Sequence, residues 1–283
     1  MIHDFLISII TFSLIYVIAV LSFNLSFGFT GLVNLGHMVF FGIGAYTSAI
    51  LTLNGVPWHI AMIIAALLAS LLGAIIAAIT VRLKGDYFQV VTLGLVFIAI
   101  AVSRNWISLT RGALGLPGVP SIIKDHFYYM LFVFAITALF AAFLYWLVNS
   151  ETGKIFQAIR DDETAAKVLG KNTYFYKIIS IAISTFFAGI AGSLFVHYIN
   201  FVDPTIFDLE FFVLMLTFLI IGGLASIKGT IISIFALQII YESLRFVTIN
   251  PEIVGALRTM LFMGALLVIL VFRPRGMFGK VDV

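Results

Sequence analysis

"FLISIITFSLIYVIAVLSFNLSFGFTGLVNLGHMVFFGIGAYTSAILTLNGVPWHIAMIIAALLASLLGAIIAAITV", residues 5–81, lies between Asp4 and Arg82 and contains no Lys, Arg, Asp or Glu. About 20 apolar residues cross a bilayer, so this one stretch holds roughly three crossings. The rest of the 283 residues keep the same character. The chain is 62% hydrophobic and 10% charged, against about 25% charged in a soluble domain, and its mean hydropathy is +1.17. The composition is that of an integral membrane protein and leaves no basic surface of the kind that binds nucleic acid. The N-terminus has neither the basic region nor the small-residue cleavage site of a secretory leader, so residues 5–24 read as a retained helix. The absence of cysteine excludes disulfides, thiolate metal sites and a Cys nucleophile.

Apolar runs between charged or turn-rich breaks give nine candidate crossings, near 5–24, 34–53, 58–81, 87–103, 127–149, 176–200, 209–224, 230–248 and 254–272. The expected fold is an all-α polytopic helix bundle of about eight or nine transmembrane helices, in one domain over 1–283. Residues 34–53 carry Gly36, Gly42 and Gly44, and 209–224 ends in Gly222-Gly223. Either run is a candidate for a broken or re-entrant span, whose freed backbone must be buried in protein or line a cavity. All six prolines, at 57, 117, 120, 204, 251 and 274, fall between the runs, as residues that interrupt helical hydrogen bonding should. Trp58, Trp106 and Trp146 sit near run ends, where indoles favour the headgroup zone.

Eleven of the sixteen basic residues fall in the connections at 82–86, 150–175 and 222–229, their flanks and the C-terminus: Arg82, Lys84, Lys154, Arg160, Lys167, Lys171, Lys177, Lys228, Arg273, Arg275 and Lys280. The positive-inside rule places these in the cytoplasm, with the N-terminus outside and the C-terminus inside. An odd number of crossings satisfies that parity. GLVNLG at 31–36 and GLASIKG at 223–229 each follow an inward-running span, a faint echo that either marks an internal repeat or is generic Gly-rich turn usage.

The most polar stretch is QAIRDDETAAKVLGKN, residues 157–172, within the largest cytoplasmic connection, 150–175. Ile155, Ala158, Ile159, Ala165, Ala166 and Leu169 are its apolar positions, Glu163 and Lys167 stand in the favourable i,i+4 order, and Gly170 supplies a C-terminal stop. The pattern predicts either one helix from Lys154 to Leu169 or two short ones with Asp162 capping the second. On physics alone it is a solvated amphipathic segment on the membrane surface.

The arrangement E-x-A-A-x-x-x-G, here Glu163, Ala165, Ala166 and Gly170, resembles the EAA loop of ABC importer permeases, where a cytoplasmic helix sits in a groove on the ATPase. The run GKIFQAIRDDETAAKVLGKN followed by AGIAGSL (188–194) is similar to permeases of branched-chain amino-acid ABC importers, the LivM type in particular. GLVNLGHMVFFGIGAYTSAIL (31–51), RLKGDYFQVVTLGL (82–95), TRGALGLPGVP (110–120), GGLASIKGT (222–230) and FRPRGMFG (272–279) fit the same family in the same order. One departure is visible: after TLG, where the family often has an acidic residue, Leu95-Val96-Phe97 continue the apolar run.

The resemblance implies a permease subunit with a coupling segment at 150–175, in which Gly153, Arg160, Glu163, Ala165, Ala166 and Gly170 meet the ATPase. Its partners would be a second, LivH-like permease subunit, two ATP-binding subunits and an extracytoplasmic substrate-binding protein, in a prokaryotic cell membrane. The chain has no G-x-x-x-x-G-K-[ST] phosphate loop, so it is expected to bind no cofactor, with ATP and Mg²⁺ held by partner subunits. The implied substrates are leucine, isoleucine and valine, with urea, short amides or other amino acids as the alternative. An ion-driven secondary transporter is the rival reading, weakened by the absence of acids from Phe5 to Val81. An intramembrane enzyme is less favoured still, since no H-E-x-x-H pair is present.

Four further features have two readings each. Asn34, His37, Gly42 and Gly44 are a tight helix contact or a gate on the translocation path. RLKGDYF is an anchoring turn or a second ATPase contact. Arg111, Gly112, Gly115 and Pro117 form a rigid external turn or a contact for the substrate-binding protein. Glu242 and Arg245, one turn apart, are a local ion pair or an intramembrane functional pair.

Overall fold

The computed structural model describes residues 2–83, 85–243, 260, 263–264, 267–268, 271–272 and 275–279. Lys84, Arg245, Arg258, Arg273 and Lys280, Pro251 and Pro274, and most of the run at 254–272 lie outside the described residues. The helices are α1 (Ile2–Asn24), α2 (His37–Leu53), α3 (Trp58–Thr80), α4 (Gly85–Asn105), α5 (Ile107–Thr110), α6 (His126–Asn149), α7 (Glu151–Asp161), α8 (Glu163–Val168), α9 (Thr173–Ile199), α10 (Leu209–Gly222) and α11 (Ile227–Ser243). A wider π-type turn, Leu25–Phe29, extends α1, and the two-residue strands β1 (Leu116–Pro117) and β2 (Phe201–Val202) pair antiparallel.

Five of these helices are long and apolar enough to cross a membrane, and α2 and α10 are shorter apolar helices. A spanning chain must satisfy its backbone internally, which favours helix throughout. The most apolar window of the first span is 72% buried inside the protein and that of α9 is 56%, against 33% for α3 and α6 and 17% for α4. The first two therefore form the centre, and the other three turn apolar faces outward.

Close approach at the centre depends on small side chains. Gly189 of α9 is seated against Ala65, Ala66 and Ala69 of α3, and a Cβ on Gly44 of α2 would overlap the Gly189 backbone. Larger residues at this crossing would push three helices apart.

The short elements depart from plain helix in a defined way. Residues 30–36 are not helical, so α2 begins at His37, later than the apolar run alone indicates. At about 1.5 Å per residue the 14 residues of α10 reach roughly 21 Å, less than a bilayer core of about 30 Å. The turn that follows, 223–226, is buried in protein, which is where freed backbone has to be.

Candidate functional site

The segment between α6 and α9 is two helices. Asp162 breaks the run in extended backbone, and its Oδ1 accepts hydrogen bonds from Thr164 N at 2.8 Å and Ala165 N at 3.0 Å. Of the two arrangements the sequence allows, the capped pair is the one formed. α7 is strongly amphipathic, with Phe156 and Ile159 buried and Phe156 edge-on to Tyr176 of α9. Gly153 is buried at the α6–α7 corner against Leu147 and Val148.

Arg160 reaches from α7 to the end of the first span, where Nη1 donates to Gly28 O at 3.1 Å while Nε donates to Asp161 Oδ1 at 2.9 Å. Glu163 turns toward its own chain. Thr173 Oγ1 donates to its Oε1 at 3.0 Å, Lys167 Nζ pairs with Oε1 at 2.9 Å, and Lys177 Nζ of α9 donates to Oε2. Partial burial works to raise the Glu163 pKa, but these hydrogen bonds and the Lys177 charge outweigh it and bring the group to about 2. It is ionised throughout the neutral range.

The two alanines have opposite environments: Ala166 is buried and Ala165 is exposed. Beyond them Val168 is 83% and Leu169 77% exposed, an apolar tip on an otherwise polar segment. Gly170 follows in positive-φ backbone at +77°, the conformation that ends a helix.

A cavity of about 640 Å³ lies between this segment, the non-helical stretch after α1 and the α3–α4 turn, lined in part by Thr30, Arg82, Arg160, Glu163 and Lys177. The Arg82 guanidinium stands 4.8 Å from the centre of the Tyr174 ring, tying α3 to α9. The structure thus brings the 150–175 residues beside the stretch that leads into α2.

Deeper in, Asn34 Oδ1 accepts from Gly36 N at 3.1 Å, and Leu35 N donates to Thr92 Oγ1 of α4 at 3.2 Å. The His37 ring stacks on Phe23 at 5.0 Å, with Nε2 3.1 Å from Ser22 Oγ. Gly42 is packed against the Phe207 ring and Gly44 against Gly189. His37, Gly42 and Gly44 lie at packing contacts, and Asn34 holds the non-helical stretch before α2. Among the described residues no group of three His, Asp or Glu is placed to hold a metal ion.

Arg111, Gly112, Gly115 and Pro117 lie together at the opposite end. Arg111 adopts φ +59° and Gly115 φ +66°, and Pro117 pairs with Phe201 across the two strands. Asn200 Nδ2 donates to Val119 O at 2.8 Å, and the His197 ring is 2.8 Å from Pro120 O. Leu114 projects from this turn, 76% exposed.

Sequence reasoning passed over Asn24, a lone amide in an apolar run. Its Oδ1 accepts from Ala225 N at 3.0 Å and its Nδ2 donates to Thr230 Oγ1 at 2.9 Å. It ties the end of α1 to the buried turn between α10 and α11. Val168 and the pairing of Lys177 with Glu163 were also missed, and Leu169 was noted only as an apolar position of the segment. A cation in the first turn of a long apolar helix was the available sign of that pairing.

Residues 5–271 match the family model described as branched-chain amino acid transport system / permease component. The LivM high-affinity branched-chain amino acid transport permease of Escherichia coli is 28% identical, over 96% of this chain and 69% of its own. Its Salmonella typhimurium counterpart is 27% identical over the same shares. A probable LivM permease of Methanocaldococcus jannaschii is 25% identical over 95% of this chain and 91% of its own.

Proposed function

The chain belongs to the branched-chain amino acid transport permease family, and from that premise we propose that it carries branched-chain amino acids inward as the membrane subunit of an ABC importer. The partners in this reading are a second permease subunit, two ATP-binding subunits and an extracytoplasmic binding protein. ATP with Mg²⁺ is bound and hydrolysed on the ATP-binding subunits. The end of the bundle that carries α7 and α8 faces the cytoplasm, in keeping with its concentration of Lys and Arg. The end that carries Arg111, Gly112, Gly115 and Pro117 faces the binding protein.

One observation carries the docking assignment: the apolar tip of Val168 and Leu169, exposed at 83% and 77%, on a segment otherwise fastened to the bundle. An apolar pocket with a polar rim on a partner accommodates such a tip together with the flanking Lys167 and Lys171. In this reading Ala165 lets the partner approach closely. Arg160, Glu163 and Ala166 hold α8 in position from behind, Gly153 sets the α6–α7 corner, and Gly170 ends the helix.

The test is co-purification of the tagged chain with its ATP-binding subunits, comparing wild type with Val168→Asp plus Leu169→Asp. Wild type should retain the ATPases, and the variant, correctly inserted and equally heat-stable, should lose them. Retention by the variant would move the docking surface elsewhere. Uptake of radiolabelled leucine into vesicles bearing the whole complex, set against urea, tests the substrate class.

A further inference from the structure

We propose that Lys177 is a positioning residue that transmits movement of α8 to the centre of the bundle, an inference that rests on α8 being the docking segment. α8 has six residues, too few to hold its own shape. Its polar attachment to α9 runs through Glu163 alone among the described hydrogen bonds, to Thr173 and Lys177.

The attachment is stiff for physical reasons. Both carboxylate oxygens are engaged, three donors converge on them, and the side chains of Lys177 and Glu163 are 10% and 34% exposed, so solvent and salt screen the pair less than a fully exposed one. A pull on the apolar tip therefore reaches the first turn of α9 with little slack.

From Lys177 the same helix leads inward. One turn on, Ser180 Oγ is 2.6 Å from Thr30 Oγ1 at the start of the non-helical stretch before α2. One turn further Ser184 bonds to the carbonyl of Ser22 in α1. Beyond that, Gly189 meets Gly44 of α2. Each step is a close contact between α9 and an element that has no helix of its own or sits at a crossing. Arg160, by contrast, anchors α7 to Gly28 O and does not touch α9 through any described hydrogen bond. The geometry assigns seating to Arg160 and transmission to Lys177.

Lys177→Met removes the ammonium, keeps the length of the side chain, and leaves Glu163 paired with Lys167 and Thr173. In the whole complex, reconstituted with its ATP-binding subunits and binding protein, it should retain the ATPases and their hydrolysis. Uptake per ATP should fall severalfold, and Lys177→Arg should restore it. Uptake per ATP at the wild-type level overturns the proposal. Loss of the ATPases from Lys177→Met also overturns it, since the residue would then only seat the docking surface. If wild type itself captures no ATPase, the docking reading fails and takes this inference with it, a result distinct from both. Should Lys177→Met insert poorly, Lys177→Gln, which keeps a neutral donor within reach of Glu163, is held to the same two outcomes.

Discussion

The two ends of the bundle are built from different materials. The α7–α8 end is held by side chains: the Asp162 cap, the Arg160 reach to Gly28 and the three donors on Glu163. The opposite end adds fixed backbone shape to its side-chain ties from Asn200 and His197, in the positive-φ residues Arg111, Gly112 and Gly115 and the β1–β2 pair. Side-chain ties can be remade as a segment shifts, whereas a turn fixed by backbone conformation cannot change shape without breaking. In the reading proposed above, the contrast suits an end that moves and an end that holds still.

Three substitutions probe that contrast. The largest effect is expected at the rigid end, from Gly115→Val. A β-branched residue at φ +66° is strained by about 1–3 kcal/mol, and its Cβ would also overlap the Val202 carbonyl. Thermal unfolding of the purified protein should drop by several degrees, about the scale of a few kcal/mol in a chain of this size. An unchanged melting temperature would mean that backbone shape is not what secures this end.

Asp162→Ala removes the cap of α8 and should cost about 1 kcal/mol, confined to that helix. Hydrogen exchange at the amides of Thr164 and Ala165 should speed up while the rest of the protein keeps its protection. A global loss of stability instead would make the α7–α8 end as rigid as the other.

The smallest effect belongs to Arg104→Ala. Arg104 and Asp208 approach to only 3.9 Å, with side chains 53% and 40% exposed, and exposed pairs of this kind contribute about 0–1 kcal/mol. A melting temperature within error of wild type is expected. A clear drop would show that charge, as well as backbone, holds the rigid end.

Much of the architecture was legible in the sequence because transfer into lipid is governed by hydrophobicity over long windows. The runs at 58–81 and 127–149 differ from α3 and α6 by one residue at an end. The breaks were less legible. Residues 34–36 read as part of a span, yet α2 starts at His37, because Asn34 bonds to Gly36 N and Thr92 to Leu35 N, partners distributed over two elements. The Glu163–Lys167 pair followed from i,i+4 spacing and forms at 2.9 Å. The turning of Glu163 toward Lys177, fourteen residues on, did not follow, since only the path of the chain between α8 and α9 brings them together. The family motif located the segment. It did not tell which of its residues face inward and which remain open to a partner.

Asn24 has a consequence for how the protein is made. Its partners Ala225 and Thr230 are 201 and 206 residues further along the chain. At a synthesis rate of about 5–20 residues per second, those partners emerge roughly 10–40 s after Asn24 enters the membrane. For that interval a polar amide sits in α1 without the groups it bonds in the finished fold, and hydrocarbon offers it no substitute. α1 is thus completed long after it is inserted, and its final seating waits on the turn between α10 and α11.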